Sequence, residues 1–180
     1  WGERQGGTNA IGMALVRRQA VHIHATEHFL SNQHDWSCAG VPIWDPRSAG
    51  LLGVVDVSVP AQQSHPATLS LASLLAHTAH LELRERHRRE LEQLRHLAWT
   101  HPAARGGEWS VVDRHGWIAD AADFGTQRRV RLPDGIEPGA VVIPGLGERV
   151  AERLGDGWVL RAGGSHPAAP PELISPARPM

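Results

Sequence analysis

Five residues within one short stretch hold most of the ligating and redox chemistry that this chain could offer: His22, His24, His28, His34 and Cys38. Imidazole and thiolate are the usual protein ligands of zinc and iron, so His22, His24 and Cys38 are the candidate set for a metal- or redox-responsive site. Their spacing fits no established zinc pattern, and 12 histidines are scattered through the chain. No metal or other cofactor is therefore expected. Cys38 is the single cysteine, which excludes an internal disulfide and disfavours any redox cycle that needs a second, resolving thiol. A lone cysteine at a strand start reads as a small buried hydrophobe. Trp36 and Trp44 flank that strand, where a planar ligand could stack. Asp56, set inside the apolar LLGVVDVSV, needs a partner if it faces inward. Asp35, Asp45 and Asp56 make no recognisable acid–base pair, and no P-loop, dinucleotide fingerprint, nucleophile elbow or HExxH stretch occurs. The chain is expected not to be an enzyme.

The elements that must position these groups follow from local patterns. In GGTNAIGMALVR, Thr8 or Asn9 is placed to cap a short helix with Ile11, Ala14 and Leu15 as its apolar stripe. Ala20 to His24 alternates Val21 and Ile23 with His22 and His24, which predicts a half-buried strand with both imidazoles on one face. Thr26 is the N-cap of a further short helix over the sheet, reaching about Asn32. Cys38 to Trp44 and Leu51 to Val59 form a hairpin across Asp45-Pro46-Arg47-Ser48-Ala49-Gly50. Pro42 cannot donate a ladder bond, so the first of these strands is either at an edge, the reading preferred, or bulged at that point.

His65-Pro66 opens the longest periodic stretch, running to about Trp99 with Leu69, Ala72, Leu75, Ala76, Ala79 and Leu83 at spacings of three and four. Its second half is charged, with Glu82–Arg86 and Glu85–Arg89 at i,i+4 and Leu91, Leu94 and Ala98 at coiled-coil spacing. A helix leaving its domain in this way is placed to pair with its twin, and a homodimer through Leu74 to Leu97 is expected. After HPAARGG come short apolar runs at Trp109 to Val112, Trp117 to Ala119, Val130 to Leu132, Ala140 to Ile143 and Trp158 to Leu160. Turn signals separate them, which predicts a small β-rich module. The Pro-, Ala- and Gly-rich tail from Ala162 is expected to be disordered.

Composition bounds the partners. The chain has 180 residues, 41% hydrophobic and 21% charged, and no apolar run long enough to cross a bilayer. A cytoplasmic protein without a membrane partner is expected. All 18 basic residues are arginine, yet the net charge is -1, which argues against a broad phosphate-binding surface. The chain starts at Trp1 and enters a Gly-rich motif at once, so its N-terminal part is expected to be missing.

Three ordered blocks, GTNAIGMAL, then HIHATEHFLSNQHDWSCAGVPIWDP, then GLLGVVDVSVP followed by HPATLSLASLLA, resemble the GAF domains of AcoR-like regulators and of actinobacterial GAF-containing regulators. Met13 stands where that family usually has a small Thr or Ser, and Val59 where it has Gly. The resemblance implies an α+β, GAF-like fold: an antiparallel sheet flanked by helices, with a ligand cavity under the short helices, then a long C-terminal output helix and the β-rich module. It places a GAF domain at residues 1–83, an output helix at 84–100, a PAS-like β module at 108–161 and a tail at 162–180. The expected function is sensing of an unidentified small-molecule effector, with His28, Phe29, His34, Trp36, Cys38 and Asp56 as the ligand-binding set. DNA would be reached only through a module absent from this chain. Two rivals stand beside this reading: the His22, His24 and Cys38 metal or redox sensor, and a ligand-free dimerisation scaffold.

Overall fold

The computed structural model describes residues 7–104, 108–121 and 128–163. Residues 1–6 and nearly all of the expected disordered tail lie outside the described residues. The chain divides into two compact units, residues 1–90 and 91–180, and both combine antiparallel strands with helix. Among the described residues no helix is long and apolar enough to cross a membrane.

In the first unit, α1 spans Ala10–Arg17. Of the two candidate caps the structure uses Asn9, whose Oδ1 accepts from Gly12 N–H at 2.8 Å and whose amide donates to the Gly7 carbonyl at 2.9 Å. The buried stripe is Ala10 and Ala14, not the expected Ile11, Ala14 and Leu15, and Leu15 is exposed. Gly40 explains the shift: a Cβ there would meet the Ala10 carbonyl oxygen at 2.7 Å, so α1 lies on the sheet with no room for larger groups between them.

Strands β1 (Val21–His24), β2 (Trp36–Trp44) and β3 (Leu51–Pro60) form an antiparallel sheet in that order. The expected strand and hairpin are both present, but β2 is central rather than at an edge. Proline is accommodated because β1 pairs only with Ser37 to Gly40. Pro42 lies beyond that segment, where β2 has only β3 as a neighbour. The helix expected from Thr26 to Asn32 is instead two 3-10 turns, Ala25–Glu27 and Ser31–Gln33. Thr26 is not the cap; the first turn is held by Glu27, whose carboxylate accepts from the His24 backbone N–H at 2.7 Å.

Helix α2 spans Ala67–Thr100. It buries Thr68, Ala72 and Ala76 at a spacing of four, while Leu71, Leu74, Leu75 and Leu81 are exposed, so Leu75 does not join the inner stripe. Glu85 pairs with Arg88 at 2.8 Å and with Arg89 at 3.0 Å. Arg86 pairs with Glu90 at 3.4 Å, in place of the Glu82 partner that the spacing pointed to. Leu91, Leu94 and Ala98 are not a free coiled-coil seam: Leu94 and Ala98 are buried in a cluster with Val111, Ala119, Leu154 and Val159, and Leu91 packs against it.

The second unit holds β4 (Trp109–Val112), β5 (Ile118–Ala121), β6 (Gly139–Ile143), β7 (Gly147–Leu154) and β8 (Gly157–Ala162). They form one antiparallel sheet in the order β5-β4-β8-β7-β6. Val130 to Leu132 is not a strand; the residue before it, Arg129, makes an isolated bridge to Trp117. Strand β7, GERVAERL, had no expectation because its polar and charged residues mask the alternation that puts Ala151 and Leu154 inside. At the β4–β5 turn, Asp113 Oδ1 accepts from His115 and Trp117 N–H, both at 2.8 Å. Gly116 has φ +82°, and a Cβ there would meet the Val130 oxygen at 1.9 Å, so only glycine fits.

Candidate functional site

Pairing register decides which side chains share a face, because directly opposed residues point to the same side of a sheet. Cys38 opposes Ile23 and Ser58, and Gly40 opposes Val21 and Asp56. Cys38, Asp56 and Ser58 therefore stand on the face that α1 covers. His22 and His24 oppose Ala39 and Ser37 and stand on the other face. There His22 Nε2 meets Ser37 Oγ at 2.8 Å, and Ser37 Oγ meets Ser64 Oγ at 2.9 Å. The two imidazole rings lie 6.3 Å apart, with the sheet between them and Cys38. The candidate metal set His22, His24 and Cys38 is thus divided by the backbone, and among the described residues no group of three or more His, Cys, Asp or Glu side chains is placed to hold a metal ion.

On the α1 face lies a cavity of about 300 Å³. Its floor is Cys38, Asp56 and Ser58 of β2 and β3, with Trp36 at the start of β2; its walls are Asn9, Ala10 and Ile11 at the head of α1, and His28, Asn32 and Gln33 from the 3-10 turns. Of the expected ligand set, the structure brings together His28, Trp36, Cys38 and Asp56. It does not bring Phe29 or His34 to the cavity. Phe29 is 72% exposed, and its backbone N–H donates to the Thr8 carbonyl at 3.0 Å. His34 supports the wall from behind, its Nε2 bonding the His28 carbonyl at 3.2 Å. The other six lining residues, Asn9, Ala10, Ile11, Asn32, Gln33 and Ser58, were not among the expected ligand residues. Only Ser58, two positions from Asp56 on an alternating strand, carried a signal that pattern alone could have used.

Three polar atoms of this lining are buried without a partner: His28 Nε2, Gln33 Oε1 and Asp56 Oδ1. His28 is 3% exposed. Its Nδ1 lies 3.0 Å from the Ala25 carbonyl oxygen; a carbonyl only accepts, so Nδ1 carries the proton, and in the neutral ring Nε2 keeps its lone pair. Ser58 Oγ lies 2.7 Å from Asp56 Oδ2 and 3.2 Å from Cys38 Sγ. Having one proton, the hydroxyl favours the charged acceptor. Burial pushes the Cys38 thiol above its ordinary pKa; the Ser58 bond opposes this and the Asp56 carboxylate adds to the rise. At neutral pH Cys38 is a thiol, the form that neither attacks peroxide readily nor ligates metal.

A second hollow, of about 740 Å³, lies in the second unit among Arg114, Arg129, Arg131, Arg153 and Trp158. The Arg153 guanidinium sits 4.6 Å from the Trp158 ring centroid and that of Arg129 5.6 Å from Trp117, so both cations are partly engaged by aromatic faces.

Residues 1–80 match the protein family described as MimR, N-terminal domain. Over 51% of this chain and 15% of its own length, the acetoin dehydrogenase operon transcriptional activator AcoR of Bacillus subtilis is 41% identical. The propane 2-monooxygenase operon transcriptional activator MimR of Mycolicibacterium goodii is 39% identical over 40% of this chain and 12% of its own length. The match thus spans less than a fifth of either relative. Among solved structures, that of the Escherichia coli DhaR(N)-DhaL complex aligns with a TM-score of 0.46 and 20% identity, covering 88% of this chain and 65% of that one. The N-terminal half of the chain is homologous to the AcoR and MimR transcriptional activators, through the segment that in MimR is its N-terminal domain.

Proposed function

We propose that this chain is the sensory part of a transcription regulator, with a GAF-type domain at residues 1–83 that holds a small-molecule effector between its sheet and the segment from His28 to Trp36. The observation that carries this reading is the cavity itself: a mostly apolar space at the low end of the usual ligand-site range, lined by His28, Trp36, Cys38 and Asp56 among others, within the segment shared with named activators. Output runs through the helical stretch 84–100. A ligand that prefers one of two arrangements of that helix shifts its population by the difference in affinity, and by no more. The exposed leucines Leu71, Leu74 and Leu81 give α2 a face for a homodimer partner. DNA contact belongs to another part of the complete regulator, and the β-rich module at 108–161 is accessory.

Native mass spectrometry with elemental analysis, on protein purified from a host of its own kind, tests this reading. A co-purifying organic molecule that is lost in a Trp36→Ala variant is the expected result. Stoichiometric iron or zinc would replace the reading with a metal sensor, and an empty dimer under every growth condition would leave only a scaffold.

A further inference from the structure

The hollow of the second unit gathers positive charge that is neutralised elsewhere in the same unit. Arg95, Arg149 and Arg161 each pair with a carboxylate, those of Asp120, Glu108 and Glu152. Arg114, Arg131 and Arg153 make no ion pair among the described residues, although all three are exposed and line one hollow together with Arg129. Against these four guanidinium groups the lining offers the carboxylate of Asp134. The fold holds the arginines in place. Val130 is buried in a cluster with Ile143 and Trp158, which turns Arg129 and Arg131 on either side of it outwards. Their segment is tied to the β4–β5 turn: Val130 N–H donates to the Gly116 carbonyl at 2.7 Å, and Ile118 N–H to the Arg128 carbonyl at 3.0 Å. Arg153 on β7 stands opposite Trp158 on β8, and the ring 4.6 Å from its guanidinium fixes the cation without cancelling its charge. Like charges gathered around one concavity repel one another, and an anion seated among them relieves that repulsion.

We propose that the second unit binds a small, multiply charged oxyanion in this hollow, a phosphate ester or a polycarboxylate, as a site separate from the cavity of the first unit. Guanidinium forks bond the oxygens of either group two at a time. Here they come from the β4–β5 turn, from the segment around Val130 and from β7, so one anion meets donors from several elements. About 740 Å³ lies within the range of small-molecule sites. A nucleic acid fits the surface less well. A duplex needs an extended basic stripe, and beyond the hollow the unit exposes Glu108, Glu137, Glu148 and Asp156.

The test is titration of the isotopically labelled chain with pyrophosphate, citrate and acetate at matched ionic strength, read at the Nε signals of Arg114, Arg131 and Arg153. Saturable shifts with pyrophosphate or citrate, and none with acetate, are expected, and the tighter of the two assigns the phosphate or the carboxylate source. Arg114→Gln and Arg131→Gln, both at exposed positions, should each weaken binding roughly tenfold with little change in thermal stability. Arg84→Gln removes the same charge from an exposed position on α2 in the first unit and should leave binding unchanged. Equal weakening by Arg84→Gln, or shifts that never saturate, would reduce the effect to diffuse attraction of ions and overturn the proposal. A short DNA duplex that binds more tightly than either small anion at physiological ionic strength would overturn it in favour of a nucleic-acid contact.

Discussion

At the residue scale, the first unit depends on a few positions where side-chain size or charge is not negotiable. Gly40 is one, since any Cβ would press on the Ala10 carbonyl oxygen. Gly40→Ala is expected to cost about 1 to 3 kcal/mol, as overpacking in a tight core does, read as a shifted midpoint in urea. Asp45 is another. Burial raises its pKa, but the backbone and guanidinium N–H groups of Arg47 and the Ser48 hydroxyl outweigh this and hold it below the ordinary value. A carboxylate depressed by folding stabilises fully above its unfolded pKa, and the contribution is lost as pH falls through the folded value. The β2–β3 turn is therefore expected to loosen only below about pH 4. Asp45→Ala removes the bonds to Arg47 and Ser48 and should cost about 1 to 3 kcal/mol at neutral pH, with the acid dependence of the turn abolished. An unchanged pH profile of stability in that variant would assign the acid transition to other carboxylates.

At the element scale, α2 shows what periodicity conveys and what it conceals. Its extent was legible because leucine and alanine recur at three and four over many turns, and a Pro precedes it. The destination of each face was not, because the same leucine spacing serves a coiled coil and a core equally well. Leu94 and Ala98 are claimed by the second unit's own sheet, while Leu74, 61% exposed, has no such claim. The two leucines should thus behave oppositely. Leu94→Ala is expected to destabilise the second unit by about 2 to 5 kcal/mol without altering association. Leu74→Glu is expected to leave thermal stability of the monomer nearly unchanged and to shift a dimer towards monomer in sedimentation. A Leu94→Ala chain that dissociates while remaining stable would reverse the assignment.

At the scale of the whole molecule, the sheet and hairpin of the first unit were readable from alternation and turn residues, and so was the face-sharing of His22 and His24. Four of the six expected ligand residues meet at one cavity because two of them, Cys38 and Asp56, lie on strands whose period is fixed, while His28 and Trp36 border the segment the resemblance placed over the sheet. Phe29 failed because it lies in the bend between the two 3-10 turns, where no α-helix forms to turn its side chain onto the sheet. Gln33 and Asn32 were illegible, since nothing local marks a turn amide that faces a cavity. In the second unit β7 was hidden by its charges, and the ladder that makes it a strand is non-local. The proposed coupling between cavity and helix is open to hydrogen exchange at peptide resolution. A bound effector should slow exchange in β2, β3 and the turns from Ala25 to Gln33, because burying ligand there raises the cost of local opening. If the helix is the output, protection must also change along residues 84–100, which no effector in the cavity touches directly. Protection confined to the cavity would make the first unit a binding domain whose signal leaves by another route.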